Sequence, residues 1–439
     1  MIIVDTELKK REDSGRPIRV GIVGAGYMGR ALAVQIIENI PGMVVSGISN
    51  RTIERAELAF TQAGIEDARR VDSVASAESA IADNKCFFTD NPMIVCETDQ
   101  IDCIVEATGE VVFGADVALR AIEFGKHLVL LNAELDAVLG PLLKHKADQA
   151  GVCITNCDGD QPGVVMNLFR WVKTIGYKPV LAGNIKGMLD HYRNPTTQAK
   201  FAKENNQQTK MVTSFADGTK LAMEMAVVAN ATGFKVGKRG MHGPACDHAS
   251  DALDLFPSEQ LLDGGIVDYI LGAEPGPGVF VIGFNENPIL QQVAGVLKMG
   301  DGPFYCFYIP YHLPHLETPL SVARAVLFKD PTIAPKGPPI AEVITLAKTD
   351  LTAGTQLDGI GGYHSYGVLE NHGEASTENL LPMSLSEGCV LKRSISKDQP
   401  ICNTDVVKPN DRLIDDLYMK QKALFETSTY FTEHSETSK

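Results

Sequence analysis

Three polar clusters in the middle of the chain hold the residue types that carbonyl reduction or alcohol oxidation would need. GNIKGMLDHYR brings together Asn184, Lys186, Asp190, His191 and Arg193. KRGMHGP holds Arg239, Met241, His242 and Gly243, and YHLPHLET holds Tyr311, His312, His315 and Glu317. A hydride added to a carbonyl carbon leaves charge on the oxygen, so a proton donor or a cation must stand beside it. Lys186 fits that role. Arg193 and Arg239 suit the anion of a phosphorylated substrate, and Asn184 and His242 are further candidates for substrate contact. His312 and His315 lie three apart around Pro314, a spacing for a metal pair only on a helix that the proline argues against.

A hydride needs a carrier, and the stretch RVGIVGAGYMGRALAVQIIENIPGMVVSGISNRT from Arg19 offers a place for one. Ile18 to Val23 is an apolar run of strand type. Gly24, Gly26 and Gly29 follow in GxGxxG spacing, and then Met28, Leu32, Ile36 and Ile40 recur on one helix face. In a strand–turn–helix the first glycine permits the tight turn and the second lets backbone approach a pyrophosphate. The third packs helix on strand, and the helix N-terminus favours the phosphates. Tyr27 and Met28 open that helix and join the expected contact set. The next strand, Met43 to Ser49, ends in Ser49, Asn50, Arg51 and Thr52 rather than in a carboxylate. A guanidinium with neighbouring hydroxyls suits a 2′-phosphate, so NADP(H) is expected over NAD(H).

The elements that position these residues alternate. IDCIVEATGE, LVLLN and VCITN read as buried strands, with helices near 113–124 and 136–150 between them. That order predicts an α/β fold with a doubly wound parallel sheet over residues 1–160. Ligands of such sheets lie beyond the C-terminal strand ends. Thr108, Gly109 and Asn132 are therefore expected near the nicotinamide. Glu134 and Asp160 are expected in the chemistry, and Asp158 on the substrate. These carboxylates also suit a Mg²⁺ or Mn²⁺ ion if one is used. Residues 65–91 are expected to add a helical insertion.

Residues 161–302 read as an α+β domain for substrate and subunit contact, with GVVMNLFRWVKTIG a helix and PVLAGNIKG a strand. KMVTSF is expected as a strand before an Asp-Gly turn, and 303–330 to complete the first domain. The prolines at 331, 335, 338 and 339 mark a linker. A small β-rich domain is expected over 338–408, then a helix from Asp411 to Thr427 and a frayed tail.

The 40 basic and 55 acidic residues leave a net charge of −15, which argues against nucleic acid and anionic membranes as partners. Three consecutive apolar residues after Met1 are too few for a secretory signal, so a cytoplasmic protein is expected. Nine scattered cysteines without a CxxC pair read as reduced. A small molecule is the expected partner, with a second copy of the chain in a homodimer or homotetramer.

The loop of Gly24, Gly26 and Gly29, EATG at 106–109 and LLNAELD at 130–136 resemble homoserine dehydrogenase and its relatives. ANATG at 229–233, RGMHGP at 239–244, GPGVFV at 276–281 and PYHLPHLETPLSVARAVL at 310–327 are more particular. They resemble the homoserine dehydrogenase-like oxidoreductases with a C-terminal SAF domain, whose module AKTDLTAGTQL at 347–357 and LKRSISKDQPI at 391–401 resemble. One branch is the deoxyxylulose-phosphate-reductoisomerase-like enzymes. That resemblance implies NADPH, a divalent metal and 1-deoxy-D-xylulose 5-phosphate as substrate, with a family lysine matching Lys186. Two other expectations stand beside it: a nucleotide-sugar or other sugar oxidoreductase that retains its cofactor, and a non-catalytic NADP(H)-binding sensor or scaffold.

Overall fold

The computed structural model describes residues 4–427. After a first helix α1 (Asp5–Asp13) the chain alternates through β1 (Ile18–Val23), α2 (Tyr27–Asn39), β2 (Met43–Ser49), α3 (Ile53–Gln62), β3 (Arg69–Arg70), α4 (Val74–Ala82), β4 (Phe87–Thr89) and α5 (Pro92–Glu97). It continues through β5 (Cys103–Glu106), α6 (Val111–Glu123), β6 (His127–Leu130), α7 (Ala133–Ala150) and β7 (Ile154–Asn156). The seven strands form one parallel sheet in the order β3-β4-β2-β1-β5-β6-β7. The fold is thus α/β, with the winding reversing between β1 and β5. Residues 65–91 give two short strands as well as a helix, and they widen the sheet beyond β2. The expected insertion was helical only; alternation too short to register as a period hid the strands.

The second half runs α8 (Gln161–Thr174), β8 (Lys178–Lys186), α9 (Pro195–Glu204), α10 (Thr209–Asp217), α11 (Thr219–Thr232) and β9 (Lys235–Val236). Then come α12 (Ser258–Leu262), β10 (Ile266–Leu271), β11 (Gly278–Phe284), α13 (Pro288–Val296), β12 (Phe304–Ile309) and α14 (Pro314–Phe328). Its mixed sheet has the order β12-β11-β8-β10-β9, and α8 and α11 pack on it. KMVTSF is the start of α10 rather than a strand; the chain turns from α10 into α11 at Gly218, which has φ +88°. Pro314 occupies the first turn of α14 and starts that helix rather than breaking it. A first-turn proline gives up no intrahelical hydrogen bond. β12 joins the second sheet, whereas α14 crosses back to pack on α2 and β6.

The last segment holds β13 (Ala341–Ala347), β14 (Ser365–Asn371), α15 (His372–Thr377), β15 (Val390–Leu391), β16 (Val406–Val407) and α16 (Leu413–Thr427). It shares a core with the first half: Leu381, Leu385, Leu391 and Leu417 pack in one cluster with Leu135, Leu139 and Leu142 of α7. The tail expected to fray, 428–439, lies outside the described residues. All nine cysteines are free. No helix among the described residues is long and apolar enough to cross a membrane.

Candidate functional site

Gly24, Gly26 and Gly29 lie between β1 and α2. Gly24 has φ +107°, and a Cβ there would meet the Ala107 carbonyl oxygen at 2.7 Å, so this glycine lets β1 and β5 exit side by side. A Cβ on Gly29 would stand 1.9 Å from the Gly24 carbonyl oxygen. At Gly26 a Cβ would meet nothing within 4 Å. The α2 N-terminus has no side-chain cap and no acidic residue in its first turn, so no side chain of its own occupies its N–H groups. These features fit a dinucleotide pyrophosphate. Tyr27 is exposed and Met28 half-buried on that turn.

The rest of the expected cofactor set divides. Arg51 is exposed at the end of β2 and makes no hydrogen bond or ion pair among the described residues. Ser49 is 1% exposed and acts through its carbonyl, which accepts the Gly24 N–H at 2.8 Å. Asn50 accepts the Ala25 N–H at 3.0 Å and donates to the Thr52 carbonyl at 2.8 Å, so it braces the loop. Glu106, fully buried at the end of β5, accepts the Thr108 N–H and hydroxyl and, at 2.8 Å, the Asn132 amide. Burial pushes the Glu106 carboxyl up, against the pull of those donors. Asn132 also caps α7 through the Leu135 N–H. Thr108 and Asn132 therefore have their polar atoms committed to Glu106 and the cap. Gly109, φ +69°, is left facing Met211 of α10.

The chemistry-bearing residues gather where β6, β7 and β8 end. Glu134 stands in the first turn of α7, and Asp160 precedes α8 without capping it. Lys186 closes β8. Lys220 and Glu224 lie four apart in α11, a helix buried from Thr219 to Ala231. Lys220 donates to Glu134 at 3.1 Å, and its side chain is only 10% exposed. Asn184, fully buried, donates to Gln161 and Glu224, each at 3.0 Å. Two buried acceptors of this cluster have no hydrogen-bond partner: Glu134 Oε1 and Asn184 Oδ1. His312 Nδ1 is likewise buried and unpartnered.

The two lysines are tuned in opposite directions. Burial works against charge on Lys220, but Glu134, Asp160 and Glu224 outweigh it and hold its pKa up. Burial lowers Lys186, and repulsion from Lys220 adds to this against the pull of Glu224. Lys220 is a fixed cation, and Lys186 is the one readier to release a proton. Glu224 is pushed up to about 8 by burial and then by Asp160, against the pull of Lys220 and Lys186. Burial lowers His312, where the charges of both Asp160 and Lys186 are also felt.

Several expected substrate residues are used elsewhere. Asp158 accepts from Asn167, from Ser321 at 3.1 Å and from Thr332 at 2.8 Å, tying β7 to α14. Arg239 is bound by Glu370 and by Glu378, a clasp between the second sheet and the C-terminal segment. Arg193 pairs with Asp190 at 3.0 Å. His242 meets the fully buried Asp268 at 2.7 Å, and the same carboxylate accepts the His242, Gly243 and Tyr269 N–H groups. It orders a loop. Each of the four is engaged elsewhere: Asp158, Arg239 and His242 by partners distant in sequence, and Arg193 by Asp190, three residues before it. Among the described residues no three of His, Cys, Asp and Glu assemble as a metal set. Glu134 meets Lys220 through one oxygen and Asp158 is held by the Ser321 and Thr332 hydroxyls, while the Asp160 side chain makes no hydrogen bond or ion pair among the described residues.

Lys220, Glu224 and Gln161 were not anticipated. The signal was present: TKLAMEMAVVANAT is an apolar helix whose two charges fall four apart, on one face. Buried charges are retained only where paired or functional.

Asp136, one turn into α7, supports this corner. It is 3% exposed, takes one long hydrogen bond from Asn156 at 3.4 Å, and burial raises its pKa to about 7. A carboxyl raised in the folded state stabilises fully below its unfolded pKa and loses that contribution as pH rises through the folded value. Asp136→Asn is expected to flatten the fall in stability between about pH 4 and 8 by up to about 4 kcal/mol, at about 1.4 kcal/mol per pKa unit. Urea unfolding at both ends of that range reads the slope; equal slopes for both proteins would place an ionised Asp136 in the folded state.

Residues 159–318 match the family model described as Oxidoreductase DRL, catalytic domain. That segment starts beside Asp160 and contains Lys186, Lys220, Glu224 and His312. No curated protein matches the chain. Among solved structures it is similar to a probable dehydrogenase from Thermotoga maritima, at 11% identity over 73% of this chain and 91% of that one, TM-score 0.41. It is also similar to myo-inositol dehydrogenase from Lactobacillus casei, at 13% identity over 66% and 74%, TM-score 0.40. Scyllo-inositol dehydrogenase from Lactobacillus casei gives 16% identity over 61% and 73%, TM-score 0.37. The chain is an NAD(P)-dependent oxidoreductase, with the glycine loop in its first half and the match to an oxidoreductase catalytic domain in its second.

Proposed function

We propose that this enzyme uses NADPH to reduce a small hydroxylated carbonyl compound. The observation that carries the reading is the buried cluster itself: two lysines of opposite tuning beside two acceptors, Glu134 Oε1 and Asn184 Oδ1, with no donor of their own. The bound cofactor supplies the hydride. Lys220, held charged by Glu134, polarises the carbonyl oxygen, and Lys186 gives that oxygen its proton. Glu134 Oε1 and Asn184 Oδ1 accept hydrogen bonds from substrate hydroxyls, satisfying acceptors that burial otherwise penalises, and Asp160 beside them takes a further one.

The phosphorylated substrate to test first is 1-deoxy-D-xylulose 5-phosphate, with and without Mn²⁺. A second reading, an unphosphorylated sugar or polyol ketone, is favoured by one observation: Arg193 and Arg239 are engaged by Asp190, Glu370 and Glu378. Inosose and simple ketoses belong on the same panel. NADPH oxidation by the phosphate ester alone supports the first substrate, and oxidation by the neutral ketones supports the second. No turnover on either group overturns the hydroxylated-carbonyl reading.

Arg51 carries the preference for the 2′-phosphate. Arg51→Ala is expected to weaken NADPH by about tenfold, the worth of one charge-assisted hydrogen bond, and to leave NADH unchanged. Titration by cofactor fluorescence reads both constants. Tighter NADH than NADPH in the unaltered enzyme would remove the assignment.

A further inference from the structure

A cavity of about 440 Å³ lies at the far end of the helices that build the cluster. Its wall includes Lys144 of α7, Arg170 and Lys173 of α8, and Lys336 of the proline-rich segment. Lys144 is ten residues along α7 from Glu134, about 15 Å at the helical rise. The cavity is therefore separate from the catalytic centre. Met166, Phe169 and Ile333 give it an apolar floor.

The charges do not balance inside it. Asp148 is taken by Lys144 at 2.5 Å, and Asp330 by Arg170 at 3.0 Å and Arg324 at 2.8 Å. Lys173 and Lys336 have no carboxylate partner among the described residues; Lys336 reaches only the Thr232 carbonyl, at 3.5 Å. Lys173 is close enough that its charge, after burial, helps depress Lys336. A helix C-terminus accounts for one cation: Lys173 lies in the last turn of α8. It does not account for Lys336, which is on no helix. Lys173 and Lys336 are both exposed cations on the wall of one cavity with an apolar floor, in a chain of net charge −15, and an anion would meet both.

We propose that this cavity binds a small organic anion, a carboxylate or phosphate with an apolar arm, whose charge meets Lys173 and Lys336 and whose arm covers Phe169 and Met166. The proposal does not depend on the reaction assigned above.

The test is calorimetric titration of the full chain, with and without NADPH, using phenyl phosphate, phenylacetate, benzyl alcohol and inorganic phosphate. Phenyl phosphate or phenylacetate is expected to bind, whichever is tighter naming the head group, with NADPH leaving the constant unchanged. The Lys173→Glu/Lys336→Glu variant is expected to lose at least about tenfold in affinity while melting as the unaltered protein does. If that variant does not fold, Lys173→Gln/Lys336→Gln replaces it with the same expected direction. No heat from either aromatic anion, equal binding by benzyl alcohol, equal binding by inorganic phosphate, competition by NADPH, or an unchanged constant in the variants would each overturn the proposal.

Discussion

Replacing Lys220 by Met is expected to lower turnover by about 10²–10⁴-fold, the usual worth of a positioned cation or proton donor, with NADPH affinity little changed. Lys220 lies on α11 and the phosphate-binding turn on α2, so loss of the ammonium removes polarisation without disturbing the glycine loop. Lys186→Met is expected to cost turnover on the same scale, with a different signature. Burial lowers the Lys186 pKa, so carbonyl reduction by the unaltered enzyme should slow as pH rises through that depressed value. The alkaline limb should vanish with Lys186→Met and persist, at a lower rate, with Lys220→Met. Because Lys220→Met strands Glu134 in a buried position, Lys220→Met/Glu134→Gln is the control for folding. Turnover of the unaltered rate in either lysine variant would take that residue out of the mechanism.

Lys348→Met is expected to destabilise the chain by about 3–5 kcal/mol, the cost of breaking one side of a buried ion pair. Lys348 is 1% exposed, and its ammonium has three acceptors: Asp217 at 2.8 Å, the Arg193 carbonyl at 2.7 Å and the Gly362 carbonyl at 2.9 Å. Its three N–H groups are thereby satisfied, and removing them leaves the fully buried Asp217 uncompensated. Asp217 also accepts the Thr219 N–H at 2.9 Å, so it sets the start of α11 one residue before Lys220. The C-terminal segment thus reaches the catalytic helix through one ammonium. Lys348→Met/Asp217→Asn is expected to recover part of the loss, since no charge is then stranded. Urea denaturation reads both values; a loss below about 1 kcal/mol for the single variant would mean that water reaches Asp217.

Much of the first half was legible because its signals are local. The glycine spacing, the apolar run before it and the four-residue period after it all lie within a few turns, and backbone geometry converts them directly into strand, turn and helix. Asp-Gly at 217–218 was equally readable as a turn, but what preceded it was not. KMVTSF alternates well enough for a strand, and only packing of α10 against α9 and α11 selects the helix.

The chain by itself determined the α/β alternation, the dinucleotide turn, the absence of a carboxylate after β2, and Lys186 as a candidate proton donor. Tertiary structure decided which charges meet. Lys220 and Glu134 are separated by 86 residues, Arg239 and Glu370 by 131, and Asp158 and Ser321 by 163. A side chain's role depends on whether a distant partner has already consumed its hydrogen-bonding capacity. Asp158, Arg239 and His242 look as reactive as Lys186 in the sequence, and are not, because Ser321, Glu370 and Asp268 satisfy them. Burial is likewise a property of the packed molecule; it works against charge on both Lys186 and Lys220, and the carboxylates gathered round Lys220, Glu134 foremost, separate the fixed cation from the proton donor.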